Sequence, residues 1–310
     1  MPEVDAGRGI RLFYEEFGEA SAPPLLLVMG LGAQLLSWDE RFCAELAGRG
    51  FRVIRFDNRD VGLSTWLDEL GMPDLPGIAS GTARAPYSLH DLADDACGLL
   101  DALGIEGAHV VGASMGGMIV QLMAIHRPER VLSLCSIMSF CDGAFGSVPA
   151  TPAAQATLLT SPPVERDAYV TYSVGVSRVN WGPSFDEERA RRRATRAFDR
   201  AFHPAGTARQ LAAIWATRSW REDLASVQCP ALVIHGVDDP LVPVENGRRT
   251  HAALPAGAEL LLVDGMGHDL PPHEWSRLAD AIAANAARAK VSQRTSSSRV
   301  GVAKRQTRQI

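Results

Sequence analysis

Short apolar runs alternate with longer helical patterns along most of this chain, and this alternation limits its fold more than any other feature. The predicted strands are residues 10–17, 25–29, 52–56, 108–112, 131–137, 231–235 and 259–263. Helical patterns cover residues 38–49, 88–103, 114–126 and 275–287, with another helix after Pro243. This order predicts an α/β fold with a mostly parallel sheet flanked by helices. A chain of 310 residues can bury such a sheet in one core.

The alternation stops between residues 139 and 227, where no buried strand pattern occurs. The clearest helix there is predicted from Phe185 to about Phe202, because small and aromatic residues recur at helical spacing. We therefore interpret 139–227 as a helical lid inserted into a core formed by residues 1–138 and 228–287. Trp181 and Trp215 are candidate substrate-binding residues of this lid; the competing interpretation is that they only pack its helices.

Charge is distributed unevenly along the chain. The last 23 residues, 288–310, carry seven basic residues and no acidic one, so the net charge of −5 for the whole chain becomes −12 for residues 1–287. A serine run and few large apolar side chains predict that 288–310 is a disordered basic tail. A solvated tail is favoured over contact with anionic lipid. The acidic balance elsewhere argues against nucleic acid as a partner.

The five cysteines are scattered, odd in number and without Cys-x-x-Cys spacing. This pattern argues against a disulfide framework or a zinc site. Residues 1–16 show no basic segment followed by an apolar one, so no signal peptide is predicted. Since no apolar run approaches the length of a membrane span, the expected location is the cytoplasm.

A Gly-x-Ser-x-Gly sequence, residues 112–116, lies between a predicted strand and a predicted helix. In that context it forms a tight nucleophile elbow, in which Gly112 and Gly116 avoid steric clashes. The turn would hold the Ser114 hydroxyl at the end of the sheet, beside a helix N-terminus. Ser114 is therefore the candidate nucleophile.

A serine hydroxyl needs a base, and the base needs an acid that fixes its tautomer. His268 follows the last predicted strand and is the candidate base. Two adjacent aspartates, Asp238 and Asp239, follow the preceding strand and are both candidates for the acid. The order Ser, Asp, His along the chain is the one expected for an elbow of this type.

Catalysis by such a serine also requires two backbone N–H groups that bind the developing oxyanion. Met115, directly after the nucleophile, would supply one of them. The other would come from the loop Met29–Gly32, where Gly30 and Gly32 let the backbone approach a ligand closely. Met29, Gly30 and Gly32 are therefore candidate substrate-contacting residues.

Together these segments resemble the α/β-hydrolase superfamily, in the right order over residues 10–287. The resemblance extends to actinobacterial lipase- and esterase-like hydrolases and, more distantly, to anthracycline methyl esterases. It implies an eight-stranded sheet, no metal and no organic cofactor. It also implies Asp239 as the acid, three residues after Gly236, with Asp238 as the fallback, and Leu31 as the second oxyanion donor.

The segment 56–64 also resembles the family, where the residues matching Asp57 and Arg59 shape the loop beside the site rather than react. Two residues depart from the common pattern. Met29 stands where many relatives have histidine, although the methyl esterases share the change. Asp60 stands where glycine is common.

These features predict a serine carboxylesterase that cleaves small or medium apolar esters through an acyl-enzyme. A thioesterase, a carbon–carbon bond hydrolase and a cofactor-free perhydrolase would use the same triad and stay open as alternatives. From other classes, a ligand-sensing homologue without turnover and a lipase recruited to membranes by the tail are further alternatives. The expected partner is a small-molecule ester.

Overall fold

An eight-stranded sheet organises the computed structural model, which describes residues 2–289. Its strands are β1 Glu3–Asp5, β2 Arg11–Phe17, β3 Pro24–Val28, β4 Arg52–Phe56, β5 Ala108–Ala113, β6 Val131–Ile137, β7 Ala231–Gly236 and β8 Glu259–Val263. Their order across the sheet is β1-β2-β4-β3-β5-β6-β7-β8. The β1–β2 and β2–β4 pairs are antiparallel, and all other pairs are parallel. The predicted α/β fold and its mostly parallel sheet are confirmed.

The helices lie between these strands. They are α1 Glu40–Gly48, α2 Leu75–Ser80, α3 Leu89–Ala102, α4 Met115–His126, α5 Pro152–Leu159, α6 Arg166–Asn180, α7 Glu187–Arg200, α8 Pro204–Ala216, α9 Val244–Ala253 and α10, residues 275–289. The N-terminus of α3 has a capping box: Ser88 accepts from the Asp91 N–H, and the Asp91 carboxylate accepts from the Ser88 N–H at 2.9 Å. Aspartate thus replaces the usual Glu or Gln of this motif.

The sheet is covered on both faces, as a parallel sheet requires. Leu26 and Val28 of β3 pack with α3 and α4 in one hydrophobic cluster. Leu25 and Leu27, which point the opposite way, pack with α1 and α10 in a second cluster. The continuous apolar run of β3 is therefore explained by burial on both sides.

The chain between β6 and β7 contains helices α5 to α8 and, within the described residues, no strand. The predicted helix Phe185–Phe202 corresponds to α7, which is shorter by two residues at each end. Within the insertion, α5, α6 and α8 were not given separate bounds, and outside it two described elements were not predicted from the sequence. Strand β1 has three residues and pairs only with β2, and α2 has six residues, so neither is long enough to show a period.

The last helix extends beyond its predicted end at residue 287 and includes residues 288 and 289. Arg288 forms an ion pair with Glu259 of β8 at 3.0 Å, so the first residue assigned to the basic tail belongs to the folded core. Residues 290–310, the rest of that predicted tail, lie outside the described residues. Among residues 2–289, no helix is both long and apolar enough to cross a membrane.

Candidate active site

Ser114 lies at a sharp turn between β5 and α4, with φ of 56° and ψ of −122°. A side chain rarely adopts this left-handed region, so the surrounding turn must enforce it. The neighbouring glycines show how the turn is built. A Cβ atom at Gly112 would overlap the Gly116 carbonyl, and one at Gly116 would overlap the Val28 carbonyl. The tight packing of backbone on backbone explains why the motif needs glycine at both positions.

Hydrogen bonds from β6 and the residues after it hold the turn. The Ser114 N–H donates to the Ile137 carbonyl at 2.9 Å, and the Ser139 hydroxyl donates to the Ser114 carbonyl at 2.8 Å. Helix α4 begins at the next residue, Met115, so its unpaired N–H groups and its dipole face the serine.

The loop after β3 passes directly beside the serine. An added Cβ at Gly30 would lie 2.8 Å from the Ser114 Cβ and 3.3 Å from its Oγ, so only glycine fits without displacement. The Met29 carbonyl accepts a hydrogen bond from Asn58 at 2.9 Å, which fixes the start of the loop. Among the described residues, the backbone N–H groups of Leu31 and Met115 donate to no side chain and to no backbone carbonyl in a loop or turn.

His268 and Asp239 are paired at the ends of β8 and β7. The His268 Nδ1 lies 2.8 Å from the Asp239 Oδ2, and the aspartate side chain is fully buried. The other carboxylate oxygen accepts from the N–H groups of Leu241 at 2.9 Å and Val242 at 2.8 Å. These bonds fix the carboxylate, which in turn fixes the imidazole so that Nε2 is the free ring nitrogen.

Asp238 does not take part in this pair. Its carboxylate instead accepts a hydrogen bond from the Gly265 N–H at 2.8 Å, on the exposed side of the loop. Adjacent residues of the turn therefore point in different directions, and the structure brings His268 to Asp239 only.

A second histidine, His235, is buried behind the pair, 3.8 Å from the Asp239 Oδ2. Its Nε2 donates to the Val242 carbonyl at 2.7 Å. Burial lowers the pKa of His235 from its ordinary value, despite the nearby carboxylate. This shift favours the neutral form of His235, and His268 is the histidine that is hydrogen-bonded to the Asp239 carboxylate.

Helix α8 covers the loop after β3. The Gly32 N–H donates to the Gln210 Oε1 at 2.8 Å, and the Gln210 Nε2 donates to the Arg59 carbonyl at 2.8 Å. Thr207 packs so closely on Gly32 that an added Cβ would lie 2.6 Å from its hydroxyl. Gln210 is fully buried, so both of its polar groups depend on these partners.

Asp60 joins the same helix to the core. It is a non-glycine residue with φ of 67° and is fully buried. Arg209 of α8 donates to its two carboxylate oxygens at 2.8 and 2.7 Å, and Tyr87 donates to it at 2.9 Å. The aspartate that departs from the family pattern thus has a buried arginine as its partner. Sequence reasoning did not identify Arg209, Gln210 or this contact.

Asp57 and Arg59 form buried contacts below the loop. Asp57 accepts from the Leu35 N–H at 2.7 Å and pairs with Arg200 at 2.7 Å. Burial raises the pKa of Asp57, although Arg200 opposes the shift. Arg59 binds both carboxylate oxygens of Asp95, at 2.5 and 2.6 Å.

The two tryptophans predicted to contact substrate lie in different surroundings. Trp181 is 2% exposed, and the guanidinium groups of Arg189 and Arg193 lie 4.0 and 4.5 Å from its ring centre. Its backbone packs on Gly267, and the Asn180 carbonyl before it accepts from the His268 N–H at 2.7 Å. This segment therefore supports the histidine loop through its backbone.

Trp215 lines an open cavity beside α2, with Phe145 and Tyr87 among its neighbours. Neither Ser114 nor His268 is among the described residues that line this cavity. The Trp215 ring instead contacts Phe145, with 5.9 Å between the ring centres. Within residues 2–289, no group of three or more His, Cys, Asp and Glu side chains could hold a metal ion.

Comparison with known proteins agrees with this architecture. The family of the α/β hydrolase fold matches residues 23–272 of the chain. The protein belongs to this family and is a hydrolase. The predicted resemblance to the superfamily, including its anthracycline methyl esterases, is confirmed.

Individual relatives support the assignment over most of the chain. Rhodomycin D methylesterase DauP of Streptomyces sp. (strain C5) is 30% identical and aligns with 91% of this chain and 97% of its own. The 3-oxoadipate enol-lactonase 2 of Acinetobacter baylyi is 29% identical over 77% of this chain and 80% of its own. Among solved structures, the enol-lactonase of Burkholderia xenovorans LB400 has the same fold, with a TM-score of 0.69, 23% identity and coverage of 94% and 100%.

Proposed function

We propose that this protein is a serine hydrolase that cleaves carboxylic esters with Ser114 as nucleophile, His268 as base and Asp239 as acid. The observation that carries the proposal is the strained serine at the elbow, in a chain that also pairs a buried aspartate with a histidine at 2.8 Å. The strained backbone of this turn gives no structural reason for a serine at position 114. A catalytic role does give one, because the hydroxyl would be the attacking group.

The proposed reaction begins when the Ser114 Oγ attacks the ester carbonyl carbon. The His268 Nε2 takes the serine proton, and the buried Asp239 carboxylate stabilises the resulting imidazolium. The alcohol then leaves with the proton from His268. Water attacks the acyl-enzyme by the same route, which releases the acid and restores the serine.

The N–H groups of Leu31 and Met115 would bind the oxyanion of both tetrahedral intermediates. Two features support this role. Neither group has another loop or side-chain acceptor among the described residues, and both residues adjoin backbone that is tightly fixed beside Ser114. Loss of one such donor typically costs about a hundred- to a thousandfold in rate.

A small or medium apolar ester is the proposed substrate, and helices α5 to α8 are proposed to cover it as a lid. Support comes from the relatives, whose names include a methylesterase and an enol-lactonase, and from α8, which packs on the loop beside the serine. Within residues 2–289, Trp181 contacts arginine guanidinium groups and Trp215 contacts Phe145, and neither contact supports a substrate-binding role.

The experiment is turnover of p-nitrophenyl esters, from acetate to palmitate, by the wild type and by Ser114→Ala. We expect activity with short or medium acyl chains that is lost in the variant, while both proteins keep the same circular dichroism spectrum. Ester turnover that survives in Ser114→Ala would contradict the proposed nucleophile.

Labelling with a fluorophosphonate separates the nucleophile from the substrate class. Labelling of Ser114 in a protein that is inactive on every ester would support the triad but reject the ester class, and thioesters would then be assayed. Absence of both labelling and turnover would reject the triad.

A further inference from the structure

A cavity of about 110 Å³ lies on the outer side of the histidine loop, between α7, the start of α1 and the start of α10. It has room for several water molecules. Neither Ser114 nor His268 is among the described residues lining it, so it is separate from the proposed active site. It adjoins the site through Asp269, which lines the cavity and directly follows His268.

Its lining is strongly basic. Five arginine side chains and two carboxylates line the cavity: Arg41, Arg189, Arg192, Arg193, Arg196, Asp39 and Asp269. Four of these arginines have a carboxylate partner within ion-pair distance. The pairs are Arg41 with Asp39, Arg189 with Asp269, Arg192 with Glu188 and Arg196 with Glu40. The exception is Arg193, which has no carboxylate within 4.0 Å among the described residues.

Within residues 2–289, Arg193 is held in place without a carboxylate in ion-pair contact. Its guanidinium lies 4.5 Å from the centre of the Trp181 ring and 3.5 Å from the Ser177 hydroxyl, and the side chain is partly buried. Burial lowers the pKa of Arg193, the nearby Asp269 carboxylate opposes the shift, and the neighbouring Arg189 acts in the same direction as burial. A partly buried cation of this kind is costly unless a counter-charge accompanies it.

We propose that this cavity binds a phosphate-type oxyanion, with Arg193 as its central ligand and the arginines of α7 around it. Guanidinium groups match phosphate oxygens through paired N–H donors, and Arg193 is the arginine of this lining whose donors face no carboxylate of the described chain within ion-pair distance. Inorganic phosphate is the simplest such ligand. Because Asp269 pairs with Arg189 and directly follows His268, an anion in this cavity would lie beside the loop that carries the histidine.

The test is isothermal titration calorimetry of the full chain with inorganic phosphate, at constant ionic strength so that screening does not change. We expect saturable binding with one site per chain. Arg193→Met keeps most of the apolar stem but removes the charge, and should weaken binding by at least about tenfold. Arg191→Met is the matched control, because this exposed arginine of α7 does not line the cavity and should leave binding unchanged.

A second variant keeps the test valid if Arg193→Met fails to fold. Arg192 lies at the rim and is 56% exposed, so Arg192→Gln should fold normally and still weaken phosphate binding. Absence of saturable binding to the wild type would overturn the proposal. Equal affinity of the wild type and both cavity variants would also overturn it. Neither result depends on whether the protein hydrolyses esters.

Discussion

Gln210 on α8 accepts a hydrogen bond at 2.8 Å from the backbone N–H of Gly32, in the loop beside Ser114. The same amide donates to the Arg59 carbonyl, so one fully buried side chain ties the inserted helices to two core loops. The loop that is proposed to supply an oxyanion donor is therefore positioned by a residue 178 positions away in sequence. This contact connects the insertion to the loop beside Ser114.

Replacement of Gln210 by leucine should lower kcat, because the Gly32 N–H and the Arg59 carbonyl both lose their partner and the donor at Leu31 shifts. A loss of about 1.4 kcal/mol of transition-state stabilisation corresponds to a tenfold lower kcat. We expect at least that fall, with KM changed much less. Steady-state kinetics on the best p-nitrophenyl ester would measure both constants.

The matched control is Gln155→Leu, since Gln155 is an exposed glutamine on α5 of the same insertion. It should leave kcat and KM unchanged. If Gln210→Leu behaves like this control, the glutamine does not position the loop.

Gly30 should be intolerant of even one added methyl group. In Gly30→Ala the new Cβ would lie 2.8 Å from the Ser114 Cβ and 3.0 Å from the Ala113 carbonyl oxygen, so the loop or the elbow must move. Displacements of this size in an active site can cost about a hundredfold in rate, and we expect kcat to fall by that order. Fluorophosphonate labelling rates would report the same loss without a choice of ester.

Gly48→Ala is the corresponding control, because Gly48 ends α1 and an added Cβ there meets nothing within 4 Å. Activity should be unchanged, and the free energy of unfolding should rise slightly or stay the same. Similar kinetics for the two alanine variants would argue against close packing of Gly30 on the serine.

The Asp60–Arg209 ion pair should contribute strongly to stability. Both side chains are buried, so Arg209→Met leaves the Asp60 carboxylate without its cation, and Asp60→Asn leaves Arg209 with the exposed Asp68, at 3.1 Å, as its carboxylate partner. Breaking a buried pair in this way typically costs about 3–5 kcal/mol. We expect Asp60→Asn and Arg209→Met each to lower the free energy of unfolding by that order. The double variant should lose clearly less than the sum. Urea denaturation of the four proteins would give the coupling energy.

A pair elsewhere in the insertion gives the comparison. Arg166 and Asp199 also form two hydrogen bonds, at 2.6 and 2.7 Å, but both side chains are about half exposed. Exposed pairs contribute little, so Asp199→Asn should have no measurable effect. If the double variant at Asp60 and Arg209 lost as much unfolding free energy as the two single variants together, the two residues would not be coupled.

The same pair predicts a pH dependence. Burial alone would raise the pKa of Asp60, but the hydrogen bonds from Arg209, the Leu67 N–H and Tyr87 outweigh it, and the pKa lies below the ordinary value. A lowered pKa in the folded state means that this stabilisation is complete above about pH 4, the ordinary value, and is lost as pH falls through the folded pKa. The difference in unfolding free energy between wild type and Asp60→Asn should therefore be constant near neutrality and shrink in acid. A difference that grows as the pH falls would contradict the shift.

Local patterns in the sequence were enough to predict the core. The strands at 52–56 and 131–137 have the predicted ends, because apolar runs bounded by turns fix them locally. The contacts of α8 could not be predicted in this way. Asp60 and Arg209 are separated by 149 positions, and an aspartate in place of glycine carries no local sign of its partner. Only the packing of the insertion on the core brings them together.

Asp239 and Asp238 give the sharpest test of the proposed triad, because adjacent residues of one type have different partners. Asp239→Asn would leave the amide facing the His268 Nδ1, which disturbs the tautomer and removes the charge that stabilises the imidazolium. In serine hydrolases this change costs about 10⁴ in kcat, and we expect a loss of that order. Asp238→Asn affects only the bond from the Gly265 N–H on the exposed side, so its kcat should stay within a few-fold of wild type. Comparable losses in both variants, or a larger one in Asp238→Asn, would reject Asp239 as the acid.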